Sequence, residues 1–191
     1  MDYHELSQAL AGPDRLLIRT YYFNSSYDPL LSPEQWKSQQ PFLDSLNRTP
    51  YLELRMGKLI QLKEGGFKEK GTDILLASDL IYYAARNIYD TAVVITEEAD
   101  FAVALNHAKE LGPHVELGLF PDVQPKELIQ AADRIIPLAE VVEKLGSKIF
   151  PVTQEENVGN RIVDINSNKR LQSPVEKNVS KPKKINRSQA S

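Results

Sequence analysis

Strands that alternate with helices along most of the chain predict an α/β fold: a doubly wound, mainly parallel sheet in three layers, helix on sheet on helix. Three observations carry this. Short continuous apolar runs, Ala92-Val93-Val94-Ile95 and Val115 to Phe120, read as strands covered on both faces. Between and around them apolar residues recur at helical spacing, as in Ile74, Leu75, Leu80, Tyr83 and Ala84, and again in Phe101, Leu105, Ala108 and Leu111. Acidic residues also gather where such strands would end. Asp73 opens one helix and Glu97-Glu98-Ala99-Asp100 follows the next strand, on the carboxyl side where open α/β sheets bind their ligands.

Taken in order, Asp14 to Phe23 holds Leu16-Leu17-Ile18 and Tyr21-Tyr22-Phe23 and reads as a first buried strand. Ser32-Pro33-Glu34-Gln35 reads as a helix start, with Ser32 as cap, Pro33 at the first position and Gln35 completing a capping box. The helix runs to Leu46, and Pro41 inside it predicts a kink or break. Tyr51 to Gly57 alternates apolar and charged residues, Leu59 to Leu62 continues in the same manner, and Gly65-Gly66 ends the strand. The helix from Ile74 to Ala84 leads into the strand at Ala92, and the helix from Phe101 to Leu111 is closed by Gly112-Pro113 before the strand at Val115. Lys126 to Ala132 is a short helix, and Arg134-Ile135-Ile136-Pro137-Leu138 a last short strand. After Gly146 the apolar periodicity fades and Asn, Ser, Lys and Pro dominate.

At 191 residues this describes one domain, 1–146, and a flexible tail, 147–191. There is no cysteine, and His4, His107 and His114 lack zinc-ligand spacing, which excludes disulfide scaffolds and zinc knuckles. No apolar run approaches the roughly 18 residues a bilayer span needs, and Asp2 and Glu5 replace a basic signal-peptide start; a cytoplasmic protein with no membrane partner is expected. The formal charge of -3 is uneven: residues 161–191 carry a balance of +6, so the other 160 carry -9. An acidic body with a basic tail suits an enzyme whose tail helps to hold a polyanion, because each Lys or Arg near a phosphate releases counterions.

Clustered carboxylates without a neighbouring cation invite a hard divalent ion, and phosphoryl transfer or phosphodiester hydrolysis is the chemistry most often built on one. Asp73 and Asp100 are the first candidates, each with helix capping as the competing use. Glu98 has a longer arm than an aspartate. Asp79 lies beside the apolar stripe of its helix, where an unpaired carboxylate is costly, and so calls for a salt bridge or hydrogen bond. Lys70 and Lys68 are placed to neutralise phosphate oxygens.

The run Lys70-Gly71-Thr72-Asp73 with Leu76-Ala77 and Asp79-Leu80, then Thr91 to Ile95, Thr96-Glu97-Glu98-Ala99-Asp100-Phe101, Lys109-Glu110-Leu111-Gly112 and Ala131-Ala132-Asp133, resembles the NYN domain family, a LabA-like branch of the PIN-like nucleases. The resemblance runs from about Leu16 to Ala139. It implies a magnesium- or manganese-dependent ribonuclease acting on RNA, with Asp73 matching the acidic residue of the Lys-Gly-x-Asp motif and Asp100 the second aspartate of Ser-Gly-Asp-Ser-Asp-Phe. Glu98 stands where that motif has its first aspartate. The resemblance also implies Asp73, Asp79, Glu98 and Asp100 as metal residues, with Asp73 and Asp100 catalytic.

The departure is at the front. The family opens on a strand ending in Asp-x-x-Asn whose aspartate belongs to its metal site, and Met1 to Leu6 resembles the segment that follows. In the family's sheet that strand lies centrally, between the strands at Leu16 and Ala92. Two expectations follow: either the reading frame continues upstream of Met1 into such a strand, or a second copy or a protein partner covers its place. A catalytically degenerate NYN domain that binds RNA or regulates through contacts is the alternative function.

Overall fold

The structure is a computed structural model in which residues 1–149 are described. The basic tail expected from residue 147 therefore lies, from residue 150 on, outside the described residues. The chain opens on helix α1 (Tyr3–Ala11), whose N-cap Asp2 accepts hydrogen bonds from the N–H groups of His4 and Glu5 at 3.0 and 3.1 Å. Strand β1 (Thr20–Ser26), helix α2 (Pro33–Asn47) and strand β2 (Leu52–Gln61) follow. The turn at Gly65 and Gly66, both at positive φ, sends the chain back as strand β3 (Phe67–Lys70), antiparallel to β2. Then come helix α3 (Thr72–Ala85), strand β4 (Thr91–Ile95), a 3-10 turn (Ala99–Phe101), helix α4 (Ala102–Glu110), strand β5 (His114–Leu119), helix α5 (Lys126–Ala131), strand β6 (Arg134–Pro137) and helix α6 (Leu138–Leu145).

Period-two alternation assigns the layers. On β1, Tyr21 stacks on Tyr83 of α3, whereas the next residue, Tyr22, meets Tyr3 of α1 and Phe42 of α2 edge-on. On β5, Val115, Leu117 and Leu119 join a core with Leu105 and Ala108 of α4 and Leu128 of α5, while Gly118 turns its Cα toward Leu138 of α6. A methyl group at Gly118 would stand 2.9 Å from Leu138. Helices α1, α2 and α6 therefore cover one face and α3, α4 and α5 the other. The α/β class and the three layers are those expected.

The strands form two sheets, β1-β2-β3 and β4-β5-β6, where the sequence predicts one. The β1–β2, β4–β5 and β5–β6 pairs are parallel. Among the described residues, β1 pairs only with β2 and β4 only with β5, so each has one edge without a ladder. Helix α3 packs on β1 and β2 through its Tyr83 and Asp79 side, and through Leu80 and Ala84 it shares a core with Val94 of β4. It thus spans both sheets beside their open edges. The strand Ala92 to Ile95, expected to be covered on both faces, buries only Val94, and Ile95 is 49% exposed.

Several expectations need correction. The first strand begins at Thr20, not Asp14; Leu16 and Ile18 lie in the approach to it, 82% and 47% exposed. Ser32 caps α2 with no side-chain bond, so the capping box with Gln35 does not form, and Pro41 is carried within a single helix to Asn47. The segments at Tyr51 and Leu59 form one strand, as expected, whereas β3, α1 and α6 are additional elements.

Candidate functional site

Two chain segments deliver the acidic residues. In the first, β3 ends at Lys70, Gly71 turns at φ +93°, and α3 begins at once with Thr72. That backbone lies in the left-handed region, which glycine reaches without a Cβ penalty. Gly71 is the N-cap, so Asp73 stands inside the first turn, exposed, with no capping bond to satisfy. In the second, β4 ends at Ile95, and the Glu98 N–H donates to Thr96 Oγ1 at 3.3 Å. The Phe101 N–H closes the 3-10 turn on the Glu98 carbonyl at 3.2 Å, and the buried Phe101 ring anchors it. Asp100 belongs to this turn and does not cap α4, whose N-cap is Phe101.

Neighbouring carboxylate charges act on Glu98. The Glu98 carboxyl binds its proton more tightly than an ordinary glutamate because it is partly desolvated and because the negative charges of Asp73, Glu69 and Asp100 act on it. The charges that act on Glu98 are thus those of two other sequence candidates, Asp73 and Asp100, and of Glu69, which sequence reasoning missed. A signal for Glu69 existed in the alternation Lys68-Glu69-Lys70, which puts the glutamate on the opposite face of β3 from the two lysines. Lys68 and Lys70 are exposed on that strand, opposite Ile60 and Lys58 of β2.

Asp79 is occupied elsewhere. Its Oδ2 accepts from Arg55 Nε at 2.7 Å, and Arg55 also pairs with Glu53 at 3.0 Å, donates to the Tyr83 hydroxyl at 3.0 Å and lies over the Tyr21 ring. Burial alone would lower the Arg55 pKa, yet the bonds to Asp79, Tyr83 and Glu53 hold it above its ordinary value. This is the partner the sequence required for a carboxylate beside an apolar stripe, and Asp79 is not among the charges that act on Glu98. Among the described residues no three His, Cys, Asp or Glu side chains are grouped so as to hold a metal ion.

A model of the NYN domain matches residues 1–139. The chain belongs to the NYN family. NYN domains are part of the PIN-like nuclease superfamily, whose members generally use divalent metals. A crystal structure of a protein of unknown function from Vibrio parahaemolyticus is similar, with a TM-score of 0.55 and 20% identity over 73% of this chain and 80% of that one. At that identity the likeness concerns the fold. No curated protein matches the chain. Among the described residues no helix is long and apolar enough to cross a membrane.

Proposed function

We propose that this NYN domain is a metal-dependent ribonuclease that cleaves RNA phosphodiester bonds in the cytoplasm. The observation that supports the reading is that Glu98, partly desolvated, also feels the negative charges of Asp73 and Asp100, which together raise its proton affinity. Carboxylate charges that act on one another without a counter-charge are costly, and a divalent cation reduces the cost. The donors fit magnesium or manganese in kind, since all are carboxylate oxygens. Asp73, Asp100 and Glu98 would hold the ion. A bound divalent ion supplies a water of lowered pKa and neutralises charge on the scissile phosphate. Lys70, with Lys68 beyond it, holds the phosphate and steadies the charge that develops on its oxygens. Asp79 holds α3 on β2 through Arg55 and is a structural residue in this reading.

The test is cleavage of single-stranded RNA with magnesium or manganese by the wild type, Asp73→Asn and Asp100→Asn, which keep shape and remove charge. Both variants are expected to lose activity, and unchanged activity in both would sink the assignment. The second reading is a degenerate NYN domain that binds RNA without cutting it. It is favoured by the missing three-residue metal group among the described residues and by Glu97-Glu98-Ala99 in place of the family's Gly-Asp-Ser. RNA binding by the wild type with no cleavage under either metal would select it.

The proposal extends to the open edges. A strand donated by a second copy or by a protein partner would join β1 to β4, because a strand edge with unpaired N–H and C=O groups is a template for another strand.

A further inference from the structure

Where β1, β2, β3 and α3 meet, two hydroxyls are locked together. Ser25 Oγ and Thr72 Oγ1 share a hydrogen bond at 2.7 Å, and Ser25 is fully buried. They lie directly against Gly57, the β2 residue in register with Ser25. A methyl group built there would stand 2.4 Å from Thr72 Oγ1 and 2.9 Å from both Ser25 Oγ and the Lys70 carbonyl. Only glycine leaves the space. From the other layer, Gln39 of α2 donates its side-chain N–H to the Ser25 carbonyl at 2.8 Å. Thr72 is the first residue of α3, and the N-cap before it, Gly71, contributes no side-chain bond. The first turn of α3 therefore has one side-chain tether to the sheet among the described residues, and that tether is the residue next to Asp73.

We infer that Ser25, Gly57 and Thr72 form a clamp that fixes the first turn of α3 and so positions Asp73 against Glu98 and Asp100; the inference rests on the proposed metal site. Thr72 and Ser25 are positioning residues, because neither needs to touch metal or RNA. A hydroxyl pair suits the task. It is short, it is shielded from water on the Ser25 side, and its loss leaves the remaining hydroxyl with no partner. The peptide that follows Thr72 then gains freedom at the point where a ligand oxygen must stay within tenths of an ångström.

The test compares Thr72→Val, which keeps the branched shape without the hydroxyl, and Ser25→Ala with the rescue variant Thr72→Ser, all in the full chain. Manganese binding is followed by electron paramagnetic resonance, and amide exchange by NMR. Thr72→Val and Ser25→Ala are expected to weaken manganese binding by about 10- to 100-fold, the usual effect of losing a support behind a ligand, and Thr72→Ser to restore it. The double variant should be no worse than either single one, since the pair is lost once. The second readout needs no metal: the Leu75 N–H, bonded to the Gly71 carbonyl at 3.0 Å, should exchange faster in Thr72→Val while amides near Ala84 stay protected. Wild-type manganese affinity in Thr72→Val, or unchanged Leu75 exchange, overturns the clamp. If the wild type binds no manganese while Leu75 responds as expected, the metal reading fails and the clamp stands.

Discussion

Asp79→Asn separates structure from chemistry on α3. The substitution keeps the size of the side chain and one oxygen acceptor, and removes the charge facing Arg55. Hydrogen bonds to charged groups contribute about 1.5–3 kcal/mol when buried. Here the side chains of Arg55 and Asp79 are 24% and 21% exposed, so solvent screens part of that. Arg55 also retains Glu53 and Tyr83. The net cost is therefore expected to be about 1–2 kcal/mol, less than the full value of the bond. For a protein of this length that corresponds to a fall in Tm of roughly 2–8 °C.

Urea and thermal unfolding measure this cost, and a double-mutant cycle with Arg55→Lys assigns it to the pair, because residues in contact show non-additive effects. Manganese binding measured on the same samples gives the second axis. Asp79→Asn is expected to lower stability by the stated amount and to leave manganese affinity within about twofold, since its carboxylate is engaged with Arg55 and lies outside the charges acting on Glu98. A variant as stable as the wild type that has lost manganese binding would refute the reasoning and return Asp79 to the metal site.

Three further outcomes are expected. Glu116, with a side chain only 6% exposed, takes a two-pronged bond from Arg15 at 2.8 and 3.0 Å, and that bond, with Arg134 nearby, holds its carboxyl below the ordinary 4.5. Its folded pKa is lowered, so its stabilising contribution is complete above about pH 4.5 and is lost as the pH falls through the folded value; Glu116→Gln should flatten the acid limb of stability measured by urea unfolding between pH 6 and 3. If the open edges of β1 and β4 receive a strand from a second copy, their unpaired amides should exchange rapidly in dilute protein and gain protection as sedimentation shows self-association; full protection in the monomer contradicts this. Deleting the residues after Asn166 should weaken RNA binding and flatten its salt dependence by about 0.7 log unit of slope per lost phosphate contact, whereas an unchanged slope means that the tail does not hold RNA.

The elements that could be read from the sequence are those whose pattern is local. Helices α3, α4 and α5 and strands β4, β5 and β6 each show their own periodicity and lie within a residue or two of expectation. Two missed helices also carried local signals. Asp2-Tyr3-His4-Glu5 has a cap followed by an acid three residues on, and Leu138, Val141, Val142 and Leu145 repeat at helical spacing; reading Leu138 as the end of a strand hid the second. The exposed Leu16 and Ile18 show the opposite error. An apolar run reports that a segment would gain from burial, and the neighbours that would bury it lie elsewhere in the chain. The same holds for the site. Asp73 and Asp100 were visible as motif residues, but the Ser25–Thr72 bond joins positions 47 apart, and Glu69 enters only because β3 folds back on β2.

The two halves of the acidic group stand on different sheets: Asp73 follows β3, and Glu98 and Asp100 follow β4. No ladder joins those sheets among the described residues, so their relative position depends on what spans them. Helix α3 does so, and it is fastened along its length. Thr72 ties its first turn to β1, Asp79 and Tyr83 bind Arg55 of β2, and Leu80 and Ala84 share the core that contains Val94. The Tyr89 hydroxyl adds a bond to the Leu80 carbonyl at 2.7 Å. Loss of the Thr72 fastening, the one in the turn that carries Asp73, displaces Asp73 relative to Glu98 without touching either carboxylate, whereas the Arg55 fastening further along α3 chiefly sets stability. A second sheet-spanning element, a strand between β1 and β4, would remove that dependence, so the sensitivity of metal binding to Thr72 should fall when a strand occupies the open edges.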